Sequence, residues 1–396
     1  MTRQKTFAWL AAAGFATIAA AGSASAQDIK VGQTMPYSGP ASAYSIIGKT
    51  EAAYFEMIND QGGVNGHKIK LISVDDGYVP VKTVEQVRNL AESQDVLFFF
   101  NTLGTPNNFA IQKYLNQKKI PQLFVATGAD HWGDYKDFPW TMGYQPSYQV
   151  EARIYAKYIL EHKPNAKIAL LYQNDAFGKD YLIGLKDGLG SKANMLIATE
   201  TYQTSDPTVD SQVVSLKGSG ADTLVVAAIP KFAAQSIRKV AQLGWKPMFF
   251  MTNVSISVSS VMKPAGLENG VGIVTGGYGK DPTDPTWKND PDMKAYLAWV
   301  KKWDPAADPT DVNAVYGYGL AQVMVQVLKQ AGKDLSRENI MKEAAHLNFH
   351  NGMLLPGIQV TTSATDFHPI KQMQLQRFDG KTWVLFGKVM SGAAGM

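Results

Sequence analysis

Three stretches of the chain bring chemistry-bearing residues to telling spacings. Gly48-Lys49-Thr50 matches the end of a phosphate-binding loop, in which a Gly-rich turn between strand and helix wraps phosphate oxygens. The first Gly of that pattern would fall at Ala43, however, and the segment follows Pro40 inside a helical pattern, so nucleotide binding is not expected. Gly317 and Gly319 open a G-x-G-x-x-G pattern that ends on Gln322 with no strand before it, which fits close helix packing better than a dinucleotide site. His346 and His350 stand four apart, as metal ligands on a helix do, but Leu347, Asn348 and Phe349 between them lack the Glu of a zinc hydrolase. A surface helix end is the expectation there. His67, His131, His162 and His368 have no partner at ligand spacing, and no Gly-x-Ser-x-Gly nucleophile turn occurs. The absence of cysteine excludes disulfides, thiolate metal sites and thiol nucleophiles. No metal or other cofactor is expected.

The composition fits a globular protein of two domains: 396 residues, 45% hydrophobic and 18% charged. Thirty-eight basic and 34 acidic residues give a net charge of +4 without long runs, so nothing favours a nucleic-acid partner. Residues 1–26 have the form of a signal peptide: Arg3 and Lys5, then an apolar run over 7–21, then Ala24-Ser25-Ala26 for cleavage. That run is Ala-rich and interrupted by Gly14 and Thr17, which makes it a weak membrane anchor. No other segment has the roughly 18–20 apolar residues of a membrane span. With export, no span and no cysteine to carry a lipid, the periplasm of a Gram-negative cell is the expected location.

These residues must be positioned by strands and helices in alternation. Strands are predicted at 29–34, 69–75, 96–100 and 121–126, with helices at 41–59, 81–92 and 107–116. The rhythm restarts after 139–149, with strands at 167–172, 195–202, 223–228 and 247–251 and helices at 152–161, 181–189, 208–217 and 232–243. Such alternation implies parallel sheets covered on both faces, here in two lobes. Residues 266–290, rich in Gly, Pro and Asp, are expected to form a loop or crossover outside the core. Helices at 293–302, 313–330 and 337–345 follow, then a hairpin of 371–378 and 383–389 turning at Asp379-Gly380.

Several motifs, in order, resemble the leucine/isoleucine/valine-binding type of ABC-transporter substrate-binding protein. They are Met35-Pro36-Tyr37-Ser38-Gly39-Pro40, Tyr44, the 58–66 stretch ending Gly62-Gly63-Val64-Asn65-Gly66, Asp75-Asp76, residues 121–129, and Asn174-Asp175-Ala176-Phe177-Gly178. The resemblance implies a type I periplasmic binding fold, two doubly wound α/β lobes joined by three crossovers near 141–146, 275–280 and 352–358. The N-terminal lobe would comprise 27–142 plus 278–354, and the C-terminal lobe 143–277 plus 355–396. Ligand would bind by hinge closure.

The resemblance also places the ligand beyond the carboxyl ends of the strands. Thr102, Gly104, Thr105, Ala126, Thr127 and Gly128 would offer hydroxyls and bare amides to a carboxylate, and Phe177 would set a ring against it. Read without the resemblance, these glycines turn the chain, the threonines cap helices and Phe177 is core. Amino-acid binders of this type carry an acidic residue after the strand matching 249–251, to receive the ligand's ammonium. Here Thr252-Asn253-Val254-Ser255 occupies that place and no carboxylate appears before Glu268. The type's frequent cysteine pair is also missing, with Tyr78 and Leu103 at its approximate positions.

An unpaired buried ammonium is costly, so with Tyr44, Phe177 and Tyr278 in the pocket the expected solute is a small aromatic or otherwise apolar carboxylate. Residues 121–143 also look like the branch associated with lignin-derived aromatic acids. The expected protein is a monomeric periplasmic receptor serving the membrane permease of an ABC importer, without catalysis. Three alternatives remain at this stage: a binder of branched-chain amino acids or their amides using Asn253, an exported enzyme using Asp175 or His131 as acid or base, and a sensory module.

Overall fold

The computed structural model describes residues 28–392, so the expected signal peptide lies outside the described residues. The first sheet starts where the sequence expects it, at β1 (Ile29–Met35), followed by α1 (Ser45–Asp60), β2 (Ile69–Asp75), α2 (Pro80–Glu92), β3 (Phe98–Phe100), α3 (Thr105–Gln117), β4 (Gln122–Val125) and β5 (Thr141–Gly143). Its order is β2-β1-β3-β4-β5, and every pair is parallel. Phe98, Phe99 and Phe100 show why such a strand is apolar throughout. Phe98 and Phe100 enter the core on one face and Phe99 joins Val87, Leu90 and Leu115 on the other, all fully buried.

A second run supplies α4 (Tyr148–His162), β6 (Ile168–Gln173), α5 (Ala176–Leu189), β7 (Leu196–Tyr202), α6 (Asp210–Gly218), β8 (Thr223–Ala227), α7 (Pro230–Gln242) and β9 (Met248–Met251). The short α8 (Lys263–Ala265) precedes β10 (Val274–Gly277). This last strand corrects the expectation that 266–290 lies outside the core. β10 runs parallel to β9, is fully buried, and sits inside a seven-stranded sheet ordered β14-β13-β10-β9-β8-β6-β7. Its glycines disguise it, because Gly lowers strand propensity, and both lie close against side chains of the following hairpin. A Cβ on Gly276 would lie 2.7 Å from Met373 Cε, and one on Gly277 3.0 Å from Gln376 Cδ.

After β10 the chain returns to the first lobe as α9 (Pro291–Trp303), α10 (Val312–Ala331) and α11 (Arg337–Ala344), whose Trp299, Tyr318, Val323 and Ile340 share a core with Val31, Phe98 and Leu123. Gly317 packs α10 on α1, its Cα side facing the Ile47 carbonyl so closely that a Cβ would stand 2.8 Å from that oxygen. A two-stranded ribbon, β11 (Asn348–Phe349) with β12 (Val360–Thr361), follows. The chain then rejoins the second sheet with the antiparallel hairpin β13 (Gln374–Phe378) and β14 (Trp383–Leu385), shorter than the sequence predicts. Phe378 pairs with Trp383, so Asp379 and Gly380 belong to a four-residue connection. Trp383 is fully buried and its indole N–H donates to the Ile256 carbonyl at 2.7 Å.

His346 lies past the end of α11 and its Nδ1 meets the Lys342 carbonyl at 2.6 Å, while His350 Nδ1 meets that of Ile358 at 3.2 Å. Among the described residues no cluster of metal-ligating side chains forms and no helix is long and apolar enough to cross a membrane.

Candidate functional site

β3 and β4 end in the two loops that build one pole of the site. Asn101, just after β3, has φ 49°, and Phe124 within β4 has φ 55°, where the register with β5 slips. Left-handed backbone at such residues costs about 1–3 kcal/mol and concentrates at functional sites. Asn101 braces both turns, donating from Nδ2 to the Phe124 carbonyl at 3.0 Å and to the Tyr316 hydroxyl at 2.9 Å. The loops then run together: Leu103 bridges to Ala126, and the Thr105 and Thr127 hydroxyls meet at 2.5 Å. Thr105 opens α3, so these hydroxyls stand beside the unpaired amides of a helix N-terminus, a natural seat for an anion. Gly104 is required there. Its φ is 103°, and a Cβ would lie 2.6 Å from the Tyr78 ring.

The pole opens into a cavity of about 110 Å³ between the two sheets. Of the sequence-predicted residues, Tyr44, Gly104, Thr105, Ala126, Thr127, Phe177, Asn253 and Tyr278 line it; Thr102 and Gly128 do not. The Thr102 hydroxyl is spent on Asn108 Oδ1. Gly128 serves packing, since a Cβ there would sit 2.6 Å from the Pro146 carbonyl oxygen and 2.8 Å from the Tyr148 ring. Asp175 and His131, the candidates for acid–base work, are also absent from the wall. Asp175 caps α5, accepting from the Phe177 amide at 2.9 Å, and His131 pairs with Gln112 and stacks on Phe109.

Sequence reasoning missed most of the aromatic wall: Tyr78, Tyr144, Tyr148 and Tyr316. Tyr148 stands 4.7 Å from Phe177, ring centre to ring centre, and 5.4 Å from Tyr181. Burial raises the hydroxyl pKa values of Tyr44, Tyr78, Tyr148, Tyr278 and Tyr316, so all are neutral donors. Tyr78 and Leu103, at the places of the missing cysteine pair, are both buried side chains of this wall.

The expectation that no carboxylate stands near the solute needs correction at two points. Asp281 lies in the wall, buried; its Oδ1 accepts from the Thr283 amide at 2.7 Å and hydroxyl at 2.6 Å, and its Oδ2 has no partner. Burial pushes its carboxyl up to about 6. Glu151, on α4, is fully buried directly behind Asn253 and takes hydrogen bonds from Tyr155, Tyr181 and both nitrogens of Asn253. Burial pushes its carboxyl up to about 7, against the pull of those donors. Neither was legible, because each is brought to the cleft from a segment remote from the strand-end motifs.

The lobes touch across the cavity. Tyr44, just before α1, donates its hydroxyl hydrogen to the Val254 carbonyl beyond β9 at 2.9 Å, and Gln173 Nε2 reaches the Tyr78 hydroxyl at 3.4 Å. The arrangement is a two-lobed cleft with a polar pole, aromatic sides, Asp281 in its wall and Glu151 behind Asn253.

Comparison with known proteins agrees with that arrangement. A Leu/Ile/Val-binding protein homolog of Brucella suis is 27% identical over 345 residues, covering 83% of this chain and 85% of its own. A branched chain amino acid ABC transporter protein of Thermus thermophilus, solved with bound valine, superposes with a TM-score of 0.82 at 15% identity over 92% of this chain and 96% of its own. A solute binding protein of Rhodopseudomonas palustris, solved with 3,4-dihydroxybenzoic acid, gives 0.75 at 16% identity over 93% and 99%. Residues 28–382 match the periplasmic binding protein family, so the chain belongs to that family of solute receptors with a type I fold.

Proposed function

We propose that the protein is the periplasmic receptor of an ABC importer and that its solute is a small aromatic or otherwise apolar carboxylate. One observation carries the reading: the Thr105 and Thr127 hydroxyls meet at the N-terminus of α3, at one pole of a cavity whose sides are aromatic rings. The Thr127 hydroxyl accepts from the Ala129 amide and the Trp132 indole, so its hydrogen goes to Thr105 and the Thr105 hydroxyl keeps a free hydrogen. A carboxylate fits that pole, where this hydroxyl and the helix amides supply donors, and an apolar body fits between Tyr44, Tyr148, Phe177 and Tyr278. The lobes, 27–142 plus 278–354 and 143–277 plus 355–396, close on the solute about the three crossovers, and the closed monomer docks on the permease.

A second reading, a branched-chain amino acid as solute, gains from Asp281 and from Glu151 behind Asn253, which bring negative charge nearer the cleft than the sequence promised. Titration calorimetry on protein unfolded, freed of carried-over solute and refolded distinguishes the two. Tight binding of benzoates or phenylpropanoids supports the aromatic reading, and tight binding of leucine, isoleucine or valine alone replaces it with the second. Binding of neither class overturns both.

A further inference from the structure

Asn253 occupies the place where an acidic residue is missing, and its environment decides which of its two polar atoms faces the solute. Its backbone N–H donates to Glu151 Oε1 at 2.8 Å, and its side-chain Nδ2 donates to Glu151 Oε2. The Tyr181 hydroxyl adds a donor to Oε2 at 2.6 Å, and the Tyr155 hydroxyl, which shares its hydrogen between Oε1 and the Met251 carbonyl at 2.7 Å, meets Oε1. Once ionised, as it is above the pH of about 7 to which burial raises it, the carboxylate can only accept. The Asn253 amide nitrogen is therefore held toward Glu151, and among the described residues no protein donor reaches Oδ1, although Asn253 lines the cavity.

We infer that Glu151 is a positioning residue that fixes Asn253 with Oδ1 as an acceptor in the cleft, so that the site selects carboxylates carrying a hydrogen-bond donor, hydroxyl or ammonium, at that wall. The inference rests on the carboxylate reading above and sharpens it. The acid absent from the surface of the cleft acts from one layer behind, through an amide it orients. A donor-free solute would leave Oδ1 dry and unpaired, the situation that lets buried polar groups discriminate strongly.

The geometry makes an unusual forecast for Glu151→Gln. The Asn253 backbone N–H cannot turn round, so the oxygen of the substituted amide must stay at the Oε1 position, and its nitrogen falls where Oε2 was. Two NH₂ groups cannot face each other, so the Asn253 amide reverses and presents Nδ2 to the cleft, a donor where an acceptor stood.

The test measures affinities by calorimetry at about pH 8, where Glu151 is ionised, for two matched pairs, 4-hydroxybenzoate against benzoate and leucine against 4-methylpentanoate. In the unaltered protein the donor-bearing member of one pair is expected to bind about tenfold more tightly; which pair responds tells hydroxyl from ammonium. In Glu151→Gln that preference is expected to vanish or reverse. In Asn253→Ala it should vanish without reversing, and this variant serves if Glu151→Gln does not fold. A preference that survives either substitution, or its absence while both members of each pair bind, overturns the inference alone. No binding by any of the four overturns the carboxylate reading with it.

Discussion

The hydroxyl of Tyr44 offers a direct handle on closure. It is 6% exposed, at the first lobe's edge, and its bond to the Val254 carbonyl joins the two lobes at 2.9 Å. Tyr44→Phe keeps the ring in the cavity wall and deletes this one contact, leaving the carbonyl without its partner. A net hydrogen bond is worth about 1 kcal/mol, and a carbonyl left dry raises the loss to about 2 kcal/mol. On the proposed mechanism, in which solute is held by the closed state, the loss lowers the competent population and weakens apparent affinity about 5-fold to 30-fold. Titration calorimetry with benzoate, 4-hydroxybenzoate and leucine checks this. The decisive feature is uniformity: a change in closure multiplies every dissociation constant by one factor, whatever the solute. A factor that differs more than about threefold between solutes, beyond the spread expected of one closure term, would identify the Tyr44 hydroxyl as a solute contact and refute the latch. An unchanged affinity would refute it as well.

Three further outcomes are expected. Thr127→Val removes half of the hydroxyl pair that seats the carboxylate, and calorimetry should register about tenfold weaker binding of any carboxylate that binds; unaltered affinity would move the anion elsewhere. Gly128→Ala sets a Cβ 2.6 Å from a backbone oxygen that has nowhere to go, so denaturant unfolding should show a loss of about 1–3 kcal/mol. Asp281, raised by burial from 3.8 to about 6, stays protonated in the folded state after the unfolded chain has ionised. Stability therefore falls as pH rises from about 4 to 6, by up to about 3 kcal/mol for a shift of about two units. Asp281→Asn should flatten this decline in urea unfolding at pH 4 to 7, and parallel curves for the two proteins would count against it.

What the sequence disclosed, and what it hid, follows from the range of the interactions. The parallel strands β3 and β8 announce themselves because a strand covered on both faces must be apolar almost throughout. The pole at Thr105 and Thr127 was likewise open to inspection, since ligands gather where strands end. β10 escaped because its Gly276 and Gly277 answer to the side chains of Met373 and Gln376, which lie far along the chain. The tyrosine wall escaped for the same reason: Tyr78, Tyr144, Tyr148 and Tyr316 come from four separate segments, and nothing local marks one as facing the solute. Glu151 looked like any acid on an amphipathic helix, although α4 turns it wholly inward.

The placement of β13 beside β10 has a consequence for how the molecule is made. Gly277 pairs with Gln374, so this side of the second sheet closes only after the chain has travelled through α9, α10 and α11 in the first lobe and come back. Contacts of such long sequence separation close late and slow folding. Neither half can be synthesised, finished and set aside while the other is made. Cutting the chain at the second or third crossover leaves β10 with an open edge, and cutting it at the first parts the first sheet from α9, α10 and α11, which complete its core.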